Sequence, residues 1–306
     1  SMRKALSNTL VNLGKKDPRI LLLTGDHGYS LFDDFRRECP TQYINTGIAE
    51  QNMVGVAAGL ARAGFRPIVY GLSAFIPIRV LEQIKLDVAH DNLPVIFIGD
   101  GAGFVYSQLG TSHQSTEDIA CSRAIPNLSV YSPSDKLELE QCLNIAYQDN
   151  SSVYLRVGKA DLGDVHQMEL VIKPGELVKV KSVDEGRYSF IATGSMVKTA
   201  IGVAGKLSNN IEVWSAPFIK PINRLMVEDI CHNSEAIVVF EEHSKCGGLG
   251  SLISEIAATS SPVKILHIAV DDKFSEKCGS YEYLLKEHGL DLDMAHKNTL
   301  KFIEGL

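Results

Sequence analysis

Short, continuously apolar runs recur along this chain with helical patterns between them, and this restricts its fold more than any other feature. Ile20-Leu21-Leu22-Leu23-Thr24, Pro67-Ile68-Val69-Tyr70-Gly71, Leu93-Pro94-Val95-Ile96-Phe97-Ile98-Gly99, Asn127-Leu128-Ser129-Val130-Tyr131 and Val153-Tyr154-Leu155-Arg156 follow one another in the first half. Tyr188–Gly194, Ile211–Ser215, Ala236–Phe240 and Val263–His267 repeat the theme in the second. A strand with one wet face alternates apolar and polar residues, whereas a strand covered on both faces reads apolar throughout. Such runs between helices predict parallel sheets in α/β layers. The stretch from about 158 to 186 is polar and irregular, with Gly158, Gly163, Pro174 and Gly175, and reads as a linker. The expectation is two consecutive three-layer α/β domains with mostly parallel sheets, residues 1–172 and 173–306.

Four properties narrow the function. At 306 residues the chain has room for two buried cores. Its formal charge of -7 argues against nucleic-acid or anionic-membrane binding. It has no run of the roughly twenty apolar residues that a membrane span needs, and its N-terminus reads as an amphipathic helix, not a signal peptide. The six cysteines are scattered without CxxC or ligand-like spacing, which suggests reduced thiols in a cytoplasmic protein.

Ligands of parallel α/β sheets bind beyond the carboxyl ends of strands. Thr24-Gly25-Asp26-His27, Tyr70-Gly71-Leu72-Ser73 and Gly99-Asp100-Gly101 fall there. Ile44-Asn45-Thr46-Gly47-Ile48-Ala49-Glu50-Gln51-Asn52 is the sharpest local signal. A helix opens on Glu50 and continues with small apolar residues. The positive end of the helix dipole favours the carboxylate's charge, and apolar burial opposes it. Opposed pressures of this kind suit proton transfer, although a helix-start acid on a buried helix has the same appearance.

Gly47-Ile48-Ala49-Glu50-Gln51-Asn52 resembles the cofactor-activating motif of the transketolase and 1-deoxyxylulose-5-phosphate synthase group. Further segments agree in the same order. Ser73-Ala74-Phe75 with Arg79 and Glu82-Gln83-Ile84 resembles F-x-x-x-R-x-x-D-Q-I, and Gly110-Thr111-Ser112-His113-Gln114 resembles G-x-[TS]-H-Q. Ile125-Pro126-Asn127, Ser132-Pro133-Ser134-Asp135, Ala192-Thr193-Gly194-Ser195, Lys220-Pro221-Ile222, and Glu241-Glu242-His243 with Gly247-Gly248-Leu249-Gly250 complete the series. The resemblance implies a pyrimidine-binding domain followed by a transketolase C-terminal domain, about half of a full transketolase. It therefore implies one subunit of a split enzyme, dependent on thiamine diphosphate. A separate N-terminal subunit would grip the diphosphate and its Mg2+ or Ca2+, in an α2β2 assembly that self-associates through the pyrimidine and C-terminal domains. No metal ligand is expected in this chain. Gly99-Asp100-Gly101 with Asn127 mimics a GDG…N metal motif, but it stands where the family has a substrate loop.

The resemblance also implies roles. Glu50 would hydrogen-bond a pyrimidine nitrogen, Phe75 would stack on that ring, and Gly47, Ile48 and Leu72 would line it. His113 would face the substrate, with His27 a weaker candidate. Arg156 would bind a substrate phosphate, with Arg3 and Arg79 as further cationic candidates. The chain departs from the family at Ser107-Gln108-Leu109-Gly110. Gln108 and Leu109 count among the substrate-facing candidates, and Leu109 offers no acceptor where transketolases carry an aspartate. The expected substrate is thus a non-standard or modified sugar or sugar phosphate. A pyruvate-decarboxylating synthase, a 2-oxo-acid dehydrogenase β-subunit and a non-catalytic regulatory or scaffold half are the alternatives. Glu241-Glu242-His243 reads as a packing motif, because neighbours on a strand point to opposite faces.

Overall fold

The computed structural model describes residues 1–207 and 210–306, and within them the strands fall into two sheets. The first contains β1 (Ile20–Thr24), β2 (Tyr43–Asn45), β3 (Arg66–Leu72), β4 (Ile96–Asp100), β5 (Leu128–Tyr131) and β6 (Ser152–Val157). The second contains β7 (Val178–Lys181), β8 (Tyr188–Ala192), β9 (Ile211–Ser215), β11 (Ala236–Ser244) and β12 (Lys264–Val270). Between β9 and β11 lies β10 (Phe218–Lys220), which leaves its own half of the chain and pairs antiparallel with β5. The spatial orders are β10-β5-β6-β4-β3-β1-β2 and β12-β11-β8-β9-β7. Apart from β10 and the antiparallel β7–β9 pair, the ladders are parallel. The α/β architecture read from the apolar runs is the one formed. β1, β4, β6 and β8 are buried along their whole length and β3 in all but its last residue, as their largely apolar sequences require.

Helix ends follow local chemistry. Ser1 caps the Met2–Lys16 helix by accepting from the Lys4 amide, and Lys15 and Lys16 sit in its last turn beside the negative dipole end. In the Glu50–Arg62 helix, Met53, Val54, Ala57, Ala58 and Ala61 form the buried stripe against the sheet.

Three elements differ from the sequence reading. Of the helical patterns between the apolar runs, the one over Pro77 to His90 is not a continuous helix but is broken into a 3-10 turn at Ile78–Val80, one α turn at Leu81–Gln83 and a π segment at Ile84–Ala89. Departures of this kind inside helices often accompany functional sites. The irregular stretch contains β7, an edge strand. It is also pinned to the first half of the chain: Asp135 Oδ2 accepts from the amides of Val165 and His166, and His166 Nε2 lies 2.6 Å from Glu138 Oε2. The third is β10, too short to carry a periodic signal.

Candidate active site

Two glycines allow the site loop to lie on the sheet end. A Cβ on Gly71 would come within 2.8 Å of Ile76, and one on Gly99 within 2.6 Å of the Ile76 carbonyl. With hydrogen at both positions, the turn after β3 folds back over β3 and β4. Phe75 and Ile76 amides both donate to the Leu72 carbonyl at 2.8 Å, which turns the chain and projects the Phe75 ring. Leu72 sits half-buried at the base of this turn.

Three side chains from separate places meet that ring, and Glu50 joins them through Arg79. Arg79, one helical turn on, lays its guanidinium 4.1 Å from the ring centroid. His113 meets the ring edge-on at 5.3 Å, from the short Thr111–His113 turn. His27, beyond the end of β1, lies 6.3 Å away. Glu50, at the first position of its helix, is 5% exposed, and its Oε1 accepts from Arg79 Nη1 at 3.0 Å. No side chain caps this helix end, so the Glu50 carboxylate is the charge nearest its positive pole. Gly47 adopts a positive φ of 76° and leads into Ile48, an apolar side chain 76% exposed next to this polar cluster. An added Cβ on Gly47 would meet nothing within 4 Å, so the backbone there faces open space.

The cluster is open on one side. Arg79 is 48% exposed, Leu109 58% exposed, and Gln108 is exposed beside it. Behind the His113 turn, a cavity of about 500 Å³ is lined by Thr111 and Gln114 and by Asp271–Ser275 of the second half, with Ser275 Oγ donating to Gln114 Oε1 at 3.1 Å.

Other candidates lie apart from the ring. Arg3 is half-exposed and stands 3.6 Å from Asp100 Oδ2 at the end of β4. Asp100 is buried; burial pushes its carboxyl up, against the hydrogen bond from Tyr70 and the charge of Arg3. Asn127 donates its amide to the Ala89 carbonyl at 3.0 Å, so each half of the GDG…N pattern has a separate structural role.

Arg156, for which the resemblance implied phosphate binding, is buried and paired within the chain. Its side chain is 3% exposed and its Nε donates to Asp118 Oδ2 at 2.8 Å. Its Nη2 donates to the carbonyls of Glu242, at 2.7 Å, and Ser115, at 3.4 Å. The arginine follows β6 inward, because a parallel central strand has no wet face to offer it. Burial disfavours charge on both partners, yet Arg156 holds the Asp118 carboxyl below the usual range.

Glu241, Glu242 and His243 diverge from β11 and are all buried. Glu241 accepts from the amides of Leu249 and Gly250, capping the next helix. Glu242 accepts from the Phe104 amide, Ser195 and Tyr281. His243 accepts the Ala120 amide at Nε2 and lies 2.8 Å from the Ser244 carbonyl through Nδ1, which makes it the neutral Nδ1–H tautomer.

Comparison with known proteins accounts for this arrangement. The family model "Transketolase, pyrimidine binding domain" matches residues 1–164, and "Transketolase, C-terminal domain" matches residues 178–294. The chain belongs to the transketolase family. It is similar to one of the subunits of an apulose-4-phosphate transketolase from Phocaeicola vulgatus, at 31% identity over 99% of this chain and 97% of that protein. A 1-deoxy-D-xylulose-5-phosphate synthase of Clostridium tetani is 32% identical over 98% of this chain but only 48% of its own length. A solved structure described as a split gene transketolase, an inactive beta4 tetramer, superposes with a TM-score of 0.87 at 30% identity, covering 98% of this chain and 97% of the other. The fold is thus that of the last two transketolase domains. Among the described residues, no helix is long and apolar enough to cross a membrane.

The sequence reading passed over Asp118, Ser73 as a structural residue, and Tyr154. Asp118 was visible only as one acid in the segment after His113, and no spacing marks the partner it meets from β6.

Proposed function

We propose that this chain is the pyrimidine-side half of a two-chain, thiamine-diphosphate-dependent ketol transferase. In this reading a separate chain holds the diphosphate and its Mg2+ or Ca2+, the assembly is α2β2, and a two-carbon unit passes from a ketose to an aldehyde acceptor. The observation that carries it is the Glu50–Phe75–His113 cluster: a nearly buried carboxylate, an aromatic ring and an imidazole beside the exposed, apolar Ile48. Ile48 and the open backbone at Gly47 suit a flat aromatic heterocycle.

Bound there, thiamine diphosphate would supply a stabilised carbanion, chemistry that belongs to the cofactor. Glu50 would share a proton with a ring nitrogen. Phe75 would offer its ring as a platform, a contact worth about 0.5–1.5 kcal/mol beyond burial. His113 would hydrogen-bond a substrate hydroxyl or move a proton there. Arg79 holds Glu50 and covers Phe75 from a half-exposed position, so its guanidinium can turn out to solvent when a ligand takes its place.

Two observations support a substrate outside the usual pentose phosphates: Leu109 offers no acceptor on the substrate-facing loop, and the relative matched over almost its whole length is named for apulose-4-phosphate. The synthase relative favours pyruvate decarboxylation as the second reading. Co-expression with an N-terminal transketolase section from the same genome tests both. Thiamine-dependent ketol transfer from hydroxypyruvate or a ketose phosphate is expected. Carbon dioxide release from pyruvate would replace that reading with the second, and thiamine-dependent turnover by the isolated chain would overturn the two-chain argument.

A further inference from the structure

The loops that carry the site are tied together from beneath by one buried carboxylate. Asp118 is fully buried and opens the helix that follows the His113 segment. Its Oδ2 accepts from Tyr154 OH at 2.7 Å, Arg156 Nε at 2.8 Å and Ser73 Oγ at 3.2 Å. Ser73 is two residues before Phe75, and Ser115 two residues after His113. Their hydroxyls meet at 2.7 Å, and Ser115 Oγ also lies 3.2 Å from the Ser73 carbonyl. The Ser73 amide donates to the Asp100 carbonyl at 2.7 Å, which joins the turn to β4. Arg156 extends the tie through Nη2 to the carbonyls of Ser115 and Glu242, the latter on β11 of the second sheet.

A buried ion pair is weak evidence for stability, because desolvation offsets its attraction. What it does provide is geometry: every hydrogen bond in a dry network has a high cost of breakage, so the groups it joins share one arrangement. Here the groups joined are the anchors of Phe75 and His113. We propose that Asp118 and Arg156 are positioning residues that set the spacing of Phe75 and His113 and link it to the second domain. Arg156 then takes no part in phosphate recognition. This deepens the proposed reading of the Glu50–Phe75–His113 cluster and rests on it.

Ser73→Ala and Ser115→Ala test the proposal, because each removes a tie and leaves the buried ion pair in place. In the isolated chain, with histidines isotopically labelled and His113 assigned through His113→Gln, both variants should shift the His113 imidazole resonance. Ser260→Ala, a remote helix hydroxyl, should not. This readout needs neither partner nor cofactor, so it separates failure here from failure of the proposed activity. In the assembled enzyme each serine variant, measured below its melting transition, should lower kcat about tenfold to a hundredfold. Arg156→Lys should lower kcat while the KM ratio of phosphorylated to unphosphorylated acceptors stays within about twofold. A His113 resonance unmoved in both serine variants would overturn the proposal. So would a tenfold or larger KM rise confined to phosphorylated acceptors in Arg156→Lys.

Discussion

Two groups of acids in this chain look alike as sequence and differ in three dimensions. Glu50 sits at a strand-end loop, nearly buried, and its partner is a half-exposed arginine. Glu241 and Glu242 are more deeply buried, and their oxygens are taken by backbone amides, one of them that of Phe104 from the first half of the chain, and by a serine and a tyrosine. The difference lies in unspent capacity. Glu50 can exchange its half-exposed partner for a ligand, because Arg79 can turn out to solvent as the ligand arrives. Glu242 cannot release a partner without stranding a buried donor, which costs about 1–3 kcal/mol for each group. A carboxylate of the first kind can do chemistry, and one of the second kind holds a fold.

The sharpest break in that comparison is Glu50→Gln. In the assembled enzyme it should lower kcat by about 10²–10⁴, the usual worth of a positioned acid–base group, while leaving the isolated chain's melting temperature within a degree or two. Near-normal turnover would make Glu50 the structural acid and remove it from the site.

The next test uses pH. Burial pushes Glu241 up to about 7 from 4.5 and His243 down to about 4 from 6.5. The signs oppose. His243 is neutral in the fold and protonates on unfolding in acid, so its contribution is present above pH 6.5 and is lost as pH falls toward 4. Glu241 takes up a proton more readily when folded, so its contribution is present below pH 4.5 and is lost as pH rises through 7. Between pH 4.5 and 6.5 the two largely cancel. Glu241→Gln removes one arm, and denaturant unfolding of that variant should gain roughly 3 kcal/mol from pH 4 to 6.5. A flat profile in the variant would show that His243 is not held neutral.

The smallest effect is expected for Arg79→Ala. Arg79 is half-exposed, but its loss leaves the nearly buried Glu50 carboxylate without that partner, so unfolding free energy should fall by about 1 kcal/mol. A larger loss by denaturant titration would mean that Glu50 depends on Arg79 as Glu242 depends on its partners, and the contrast between the two acids would narrow.

Much of the fold was legible. The apolar strands reported parallel sheets because a strand covered on both faces has no position for a polar side chain. Glu50, Phe75 and His113 were legible as types in a recurring order, and the structure brings those three together with His27 and Arg79. The interrupted helix after Pro77 was not, because local propensity says nothing about a segment that must bend over Gly71 and Gly99. β10 was not legible either, since three residues carry no period and its partner β5 is distant in the chain.

Arg156 marks the limit. As a residue type after a strand, arginine suits phosphate, and nothing local distinguishes an arginine that faces a channel from one that faces the interior. That choice depends on Asp118 and Glu242, which the sequence does not place beside it. The amino-acid sequence by itself determined the layered α/β class and the kinds of side chain that gather at the strand ends, because hydrophobic periodicity and residue chemistry are local properties. Only the tertiary structure decided which charges are spent and which remain free, because burial and pairing depend on what the rest of the chain brings against each group.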